Sequence, residues 1–163
     1  VTFAPRTWVV GEVVTAALLN QEIRDQFNSF FGAWTSYTPT WAGATTNPVL
    51  GNGTLTGRYM KVGRTVTVEI KLTTGSTTTY GSGIWRWSLP AAAASAHDAV
   101  GSAFIGDASA GYSTGVAYIS ASNTDVTVYV GTPAAGAAVS GTHPQTFAAS
   151  DRVWITVQYE AAS

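Results

Sequence analysis

The stretch Thr65-Val66-Thr67-Val68-Glu69-Ile70-Lys71-Leu72 decides the fold. Val66, Val68, Ile70 and Leu72 occupy every second position, and Thr65, Thr67, Glu69 and Lys71 fill the places between. Successive side chains of a strand point to opposite faces, so this alternation predicts a half-buried β-strand with one apolar face and one wet face. The same period recurs in Val126, Val128 and Val130, and in Val153, Ile155, Val157 and Tyr159. Further strands are expected over Thr54 to Val62, Ile84 to Leu89, Ala99 to Ile105 and Tyr112 to Ser120, separated by turn-rich pieces such as Gly51-Asn52-Gly53 and Gly81-Ser82-Gly83. Short strands at this spacing, without helices between them, predict a mainly β fold: an antiparallel β-sandwich, jelly-roll-like, over residues 34–163. The Ala-rich segments Pro90 to Ala96 and Thr132 to Gly141 show no period and are expected to be surface connections, open to display or mobility.

Upstream of residue 34 the period changes. Leu19, Ile23, Phe27, Phe30 and Trp34 follow steps of three and four, while Arg24, Asp25, Asn28 and Ser29 fall on the other side, which predicts an amphipathic helix within residues 15–33. Thr15 is a suitable N-cap, because its hydroxyl accepts from an otherwise unpaired first-turn N–H, and Leu18 stands where a capping box would want Glu or Gln. Gly32 reads as a natural stop. Residues 1–14, with Pro5 and Gly11, read as an extended N-terminal arm. A helix of this length is marginal alone in water, so its rings need a partner surface. Two partners are open: the chain's own sheet, or further copies of the chain. For the second, the candidate oligomerisation and anchoring residues are Trp8, Leu19, Ile23, Phe27, Phe30, Phe31 and Trp34.

The 163 residues suit one domain with a real core. A net charge of −1, with only 10% charged residues and scattered Lys and Arg, removes the electrostatic footprint of a nucleic-acid binder. Many aromatic and β-branched residues argue against disorder. No apolar run is long enough to span a bilayer, and the N-terminus lacks signal-peptide regions, so a soluble chain outside the general secretory route is expected. Without cysteine there is no disulfide framework and no cysteine-ligated metal site.

Catalytic signatures are weak. Gly111-Tyr112-Ser113-Thr114-Gly115 matches the nucleophile-elbow pattern, but the following residues continue as a strand where the elbow requires a helix. Chance in a Gly/Ser-rich chain explains the match better. His97-Asp98 and His143 lie in loop-like sequence without metal-ligand spacing and read as solvated loop histidines. Asn52-Gly53-Thr54 fits a glycosylation acceptor and is better read as a tight turn. No enzyme activity, cofactor or metal is expected. Trp85 and Trp87 share one side of a strand; core packing is the first reading, and a glycan platform the alternative, with Tyr112, Tyr118 and Trp154 as further possible glycan contacts.

The segment Pro5-Arg6-Thr7-Trp8-Val9-Val10-Gly11-Glu12-Val13-Val14-Thr15-Ala16-Ala17-Leu18-Leu19-Asn20, followed by Ile23-Arg24-Asp25, resembles a leader of virion structural proteins of tailed bacteriophages, especially those of actinobacteria. Tyr37-Thr38-Pro39-Thr40-Trp41, Gly51-Asn52-Gly53-Thr54-Leu55-Thr56-Gly57-Arg58-Tyr59 and Gly63-Arg64-Thr65-Val66 are similar to the opening of the β domain of such proteins, and Trp154-Ile155-Thr156-Val157-Gln158-Tyr159-Glu160-Ala161-Ala162 to its ending. The resemblance implies a non-enzymatic virion surface protein, a minor tail or tail-fibre protein or a capsid decoration or head-fibre protein. It further implies a homotrimer whose arm and helix dock on other virion proteins while the β domain faces outward. A host-receptor or carbohydrate-binding role, contacting a host-surface glycan through exposed aromatics and loops, is the alternative.

Overall fold

The computed structural model describes residues 6–131 and 138–162. Nine strands follow a helical N-terminal segment: β1 (Thr35–Tyr37), β2 (Trp41–Gly43), β3 (Thr54–Val62), β4 (Thr65–Thr73), β5 (Trp85–Ser88), β6 (Ala99–Asp107), β7 (Gly111–Ile119), β8 (Asp125–Tyr129) and β9 (Arg152–Glu160). The alternating stretches become β4, β8 and β9, and each of the other four expected strands forms within a few residues of its expected limits. β1 and β2 are additional; at three residues each they are too short to display a period.

All nine strands belong to one antiparallel sheet in the order β1-β3-β4-β9-β6-β7-β8-β5-β2. The chain is therefore mainly β with a helix ahead of the sheet, as the periodicities require. One sheet supplies the facing layers expected of a sandwich, because it curls into a half-barrel. Its two edges prove the curl. β1 and β2 lie at opposite ends of the order, yet only Thr38, Pro39 and Thr40 separate them in sequence. A flat sheet of nine strands would be about 38 Å wide at ~4.8 Å per strand. Four residue steps of extended chain span at most about 14 Å. The edges must come round towards each other, and one bond links the two ends of the sheet: the Tyr37 hydroxyl of β1 donates to the Ser88 carbonyl of β5 at 3.2 Å.

The inner surface is one continuous core. Val66, Val68, Ile70 and Leu72 of β4 and Val153, Ile155, Val157 and Tyr159 of β9 line its middle, and all eight are buried. At the far side Trp85 is packed edge-on against Trp41, with ring centres 4.7 Å apart, and in a tilted arrangement against Phe147, also at 4.7 Å. Its indole N–H donates to the Tyr80 carbonyl at 3.0 Å. Gly63, at φ +60°, makes the two-residue β3–β4 turn possible, since a left-handed backbone there strains any residue with a Cβ.

The segment from Pro90 to Ala96 departs from its expectation. Ala93 and Ala94 are buried, the Ala93 N–H donates to the Asn123 carbonyl and the Ala94 N–H to the Glu160 carbonyl, each at 2.8 Å. Methyl side chains let backbones approach this closely and bury no polar atoms, so an alanine-rich run serves as a docked brace across the end of β9. Of Thr132 to Gly141, residues 132–137 lie outside the described residues, as do residues 1–5 of the arm and the side chain of Ser29. Val139 is buried, and its backbone bridges β8 and β5: its N–H donates to Val128 and its carbonyl accepts from Trp85.

Candidate functional site

The helix runs from Ala16 to Phe31 as α1 (Ala16–Leu19), a π-helical turn (Asn20–Arg24) and α2 (Asp25–Phe31). Thr15 caps it, its Oγ1 accepting from the Leu18 N–H at 3.2 Å. In the π turn the Asp25 N–H reaches back to the Asn20 carbonyl. A four-residue step overshoots one 3.6-residue turn, and the wider π turn reduces the overshoot, which helps align Leu19, Ile23 and Phe27. Gly32 ends the helix in an extended conformation (φ −63°, ψ 155°), not the left-handed one expected of a glycine stop. What matters there is room, since a Cβ would stand 2.8 Å from the Asn28 carbonyl oxygen.

The helix meets the β body chiefly where α2 approaches β3, and its apolar stripe is left uncovered. Leu19, Ile23, Phe27, Phe30 and Phe31 are all exposed, from 44% for Leu19 to 83% for Phe31. Of the two partners left open by the sequence, the chain's own sheet is therefore not the one that covers the stripe. Ahead of the helix the arm turns at Val9–Glu12, where Gly11 takes φ +86°, and an Arg6–Glu12 ion pair fastens the turn. Trp8 is exposed with the Arg6 guanidinium over its ring. Trp34 differs from the rest of the anchoring set: the Arg58 guanidinium lies 4.8 Å from its ring centre and is itself held by Glu69 at 2.7 Å, so Trp34 ties the helix end to β3.

On the outer face of the sheet an aromatic row crosses three strands. Trp154 of β9 sits opposite Phe104 of β6, with ring centres 5.5 Å apart, and Tyr112 of β7 stacks on Phe104 at 5.4 Å. Since β9 and β7 flank β6 on opposite sides, Phe104 is enclosed between the two rings. The Lys71 ammonium lies 5.2 Å from the Trp154 ring centre and the Arg152 guanidinium 6.0 Å from it. Tyr112 remains 72% exposed and Trp154 38%. Further along, Tyr118 packs edge-on to Tyr129 at 6.0 Å and donates its hydroxyl to Asp98 at 2.6 Å. That bond, with a second from the Ala121 N–H, holds the Asp98 carboxyl below its ordinary range and pushes the Tyr118 hydroxyl up.

Two proposed glycan contacts fail on geometry. Trp85 and Trp87 are fully buried on the inner face, where no sugar reaches them, and core packing is their role. Phe104, Lys71 and Arg152 belong to the outer row and escaped sequence reading. The residues around Phe104, Ala103 and Ile105–Gly106, give that strand no clean alternation of apolar and polar types.

Ser113 lies within β7, paired with Ile105 in a regular ladder, and not on a sharp turn. His97 is exposed, beside an Asp98 committed to Tyr118, and the His143 ring Nε2 stands 3.1 Å from the Val130 carbonyl. Asn52 is a turn residue whose side-chain oxygen accepts from the Thr77 N–H at 3.0 Å. A cleft of about 300 Å³ opens beside β1, lined by Ser36, Thr56, Arg58, Glu69 and Lys71, with Arg58 and Glu69 neutralising each other inside it. Among the described residues no three His, Asp or Glu side chains gather where they could hold a metal ion, and no helix is long and apolar enough to cross a membrane. Comparison of the chain with protein-family models, with curated proteins and with solved structures gives no match.

Proposed function

We propose that this chain is a non-enzymatic structural protein of a phage virion, a trimeric surface appendage anchored by its arm and helix, with the curled β body displayed outward. The observation that carries the assembly part is the uncovered stripe of Leu19, Ile23, Phe27 and Phe30 on a helix that its own sheet does not shelter. Contiguous apolar surface of this kind marks an interaction site. The virion placement rests on the resemblance of the leader and the β-domain segments to tailed-phage surface proteins, in the tail or on the capsid.

Light scattering tests the assembly. The chain is expected at three times its 17.0 kDa monomer mass, and Ile23→Asp with Phe27→Asp to return it to one. Those positions are exposed in the isolated fold, so the double variant keeps its β circular dichroism. A well-folded wild-type monomer at micromolar concentration and above refutes the trimer. Antibody labelling of intact particles then tests the placement, and label restricted to the non-particle fraction refutes it.

A further inference from the structure

The helix stripe is not the only uncovered apolar surface. None of the outward-facing residues of β6 and β7 carries a charge, whereas the outward faces of β4 and β9 hold Glu69, Lys71, Arg152 and Glu160. On this uncharged face Val100, Tyr112 and Val116 are 68%, 72% and 50% exposed, and Tyr129 of β8, directly opposite Val116, extends it.

We propose that the outer face of β6 and β7 receives the apolar helix stripe of a second copy of this chain. The inference rests on the self-association argued above and names the surface on which it occurs. Three observations favour it. First, the chain's own helix is based at β3, and β4 and β9 intervene before β6, so about 14 Å of sheet separates the two at ~4.8 Å per strand. Second, the areas match only in combination. The stripe and the β6–β7 face each expose roughly 400–600 Å² of apolar side chain, given 150–250 Å² for a whole aromatic residue. One helix-on-sheet contact buries about 400–600 Å² from each partner, less than the ~800 Å² of a standard interface. In a closed ring, however, every copy makes two such contacts and covers both of its surfaces, where helix against helix would cover the stripe alone. Third, the stripe residues and the outward residues of β6 and β7 are themselves uncharged, and Arg24 and Asp25, on the other side of the helix, pair with each other at 2.8 Å.

The ring geometry leaves Tyr112 as the most open ring of the row and closes most of the others to a sugar. A sugar ring packs on an open aromatic face, and here the faces of Phe104 are taken by Tyr112 and Trp154, while Lys71 lies over Trp154. The valines and ring edges leave a ridged apolar surface that suits helix side chains. Such a contact joins two different patches, and repetition around a closed ring gives every copy one donated helix and one received.

The natural absence of cysteine makes the test clean. Phe27→Cys and Tyr112→Cys variants carrying different tags are mixed, oxidised and resolved without reductant. A mixed disulfide between the two tagged chains is expected, and Tyr112→Asp with Val116→Asp should weaken assembly at least about tenfold, as charge in the centre of an apolar interface does. Crosslinks only between Phe27→Cys chains place helix on helix; they overturn this inference while leaving self-association standing. A wild-type monomer in light scattering removes both. If Tyr112→Asp with Val116→Asp leaves assembly intact and instead abolishes binding to a host-surface polysaccharide preparation, the face belongs to a glycan and the inference fails.

Discussion

Replacing Asp151 by alanine probes a buried polar junction that no apolar pattern foretells. Asp151 is 1% exposed, and its carboxylate accepts from three donors: the Ala108 N–H at 2.9 Å, the Ala148 N–H at 2.8 Å and the Gln145 side-chain amide at 3.1 Å. It thereby joins the β6–β7 turn to the segment leading into β9. Hydrogen bonds to a charged acceptor contribute about 1.5–3 kcal/mol each, and a buried donor left unpaired costs about 1–3 kcal/mol. Ala108 and Ala148 are themselves exposed residues, so water recovers part of that loss. The expected cost of Asp151→Ala is therefore about 2–4 kcal/mol, well below the full sum. For a domain of this size each kcal/mol lowers Tm by about 2–4 °C, giving a fall of roughly 5–15 °C. Urea unfolding followed by circular dichroism measures the free energy, with Asp151→Asn as companion. The amide keeps one accepting oxygen but turns an NH₂ towards the remaining donors, so it should lie between alanine and wild type. A loss under about 0.5 kcal/mol for alanine, the range of an ordinary surface substitution, would refute the reasoning.

Two further outcomes are expected. Trp85→Phe should destabilise by about 1–2 kcal/mol more than Trp87→Phe. Both remove indole area, but Trp85 also gives up its bond to Tyr80, whereas the Trp87 indole N–H is buried with no acceptor among the described residues; equal costs in urea unfolding contradict this. Alkaline pH should also weaken the fold. Burial pushes the Tyr159 hydroxyl up to about 12, and that of Tyr37 up as well. Below the unfolded value near 10 both states hold the proton and the stabilisation is complete. Between about pH 10 and 12 the unfolded chain releases a proton that folded Tyr159 retains, so stability falls by up to about 1.4 kcal/mol per pH unit. Tyr159→Phe should flatten that slope, and an unchanged slope from pH 10 to 12 would show that Tyr159 is not responsible.

The strands were legible where burial is one-sided. β4 and β9 alternate without a break because one face meets the core and the other meets water, and the helix declared itself by its change of period. β1 and β2 were not, since three residues cannot show a period and their pairing depends on partners elsewhere in the chain. Nor could the order of strands be read, because alternation marks a strand's faces and not its neighbours. The alanine brace at Ala93 and Ala94 was misread as surface because a methyl group fits either setting. In the candidate surfaces the stripe was readable from spacing, while its exposure was not. The aromatic row was half visible: Tyr112 and Trp154 stand out by type, but Phe104 joins them only through the pairing of β6 with β9.

That pairing also sets an order of assembly. β3 with β4, and β6 with β7, are hairpins between sequence neighbours and can close early. β9 alone joins them, pairing on one side with β4, where Thr73 meets Arg152, and on the other with β6. It is the last strand of the sequence, so the two hairpins wait with their apolar faces uncovered until it is in place. Such long-range closure belongs to slow folders, in the millisecond-to-second range typical of β topologies. The uncovered hairpins are also the species most exposed to aggregation or to pairing with a neighbouring chain. The damage done by a lesion within Arg152–Glu160 would therefore fall on the half-built sheet before it fell on the finished one.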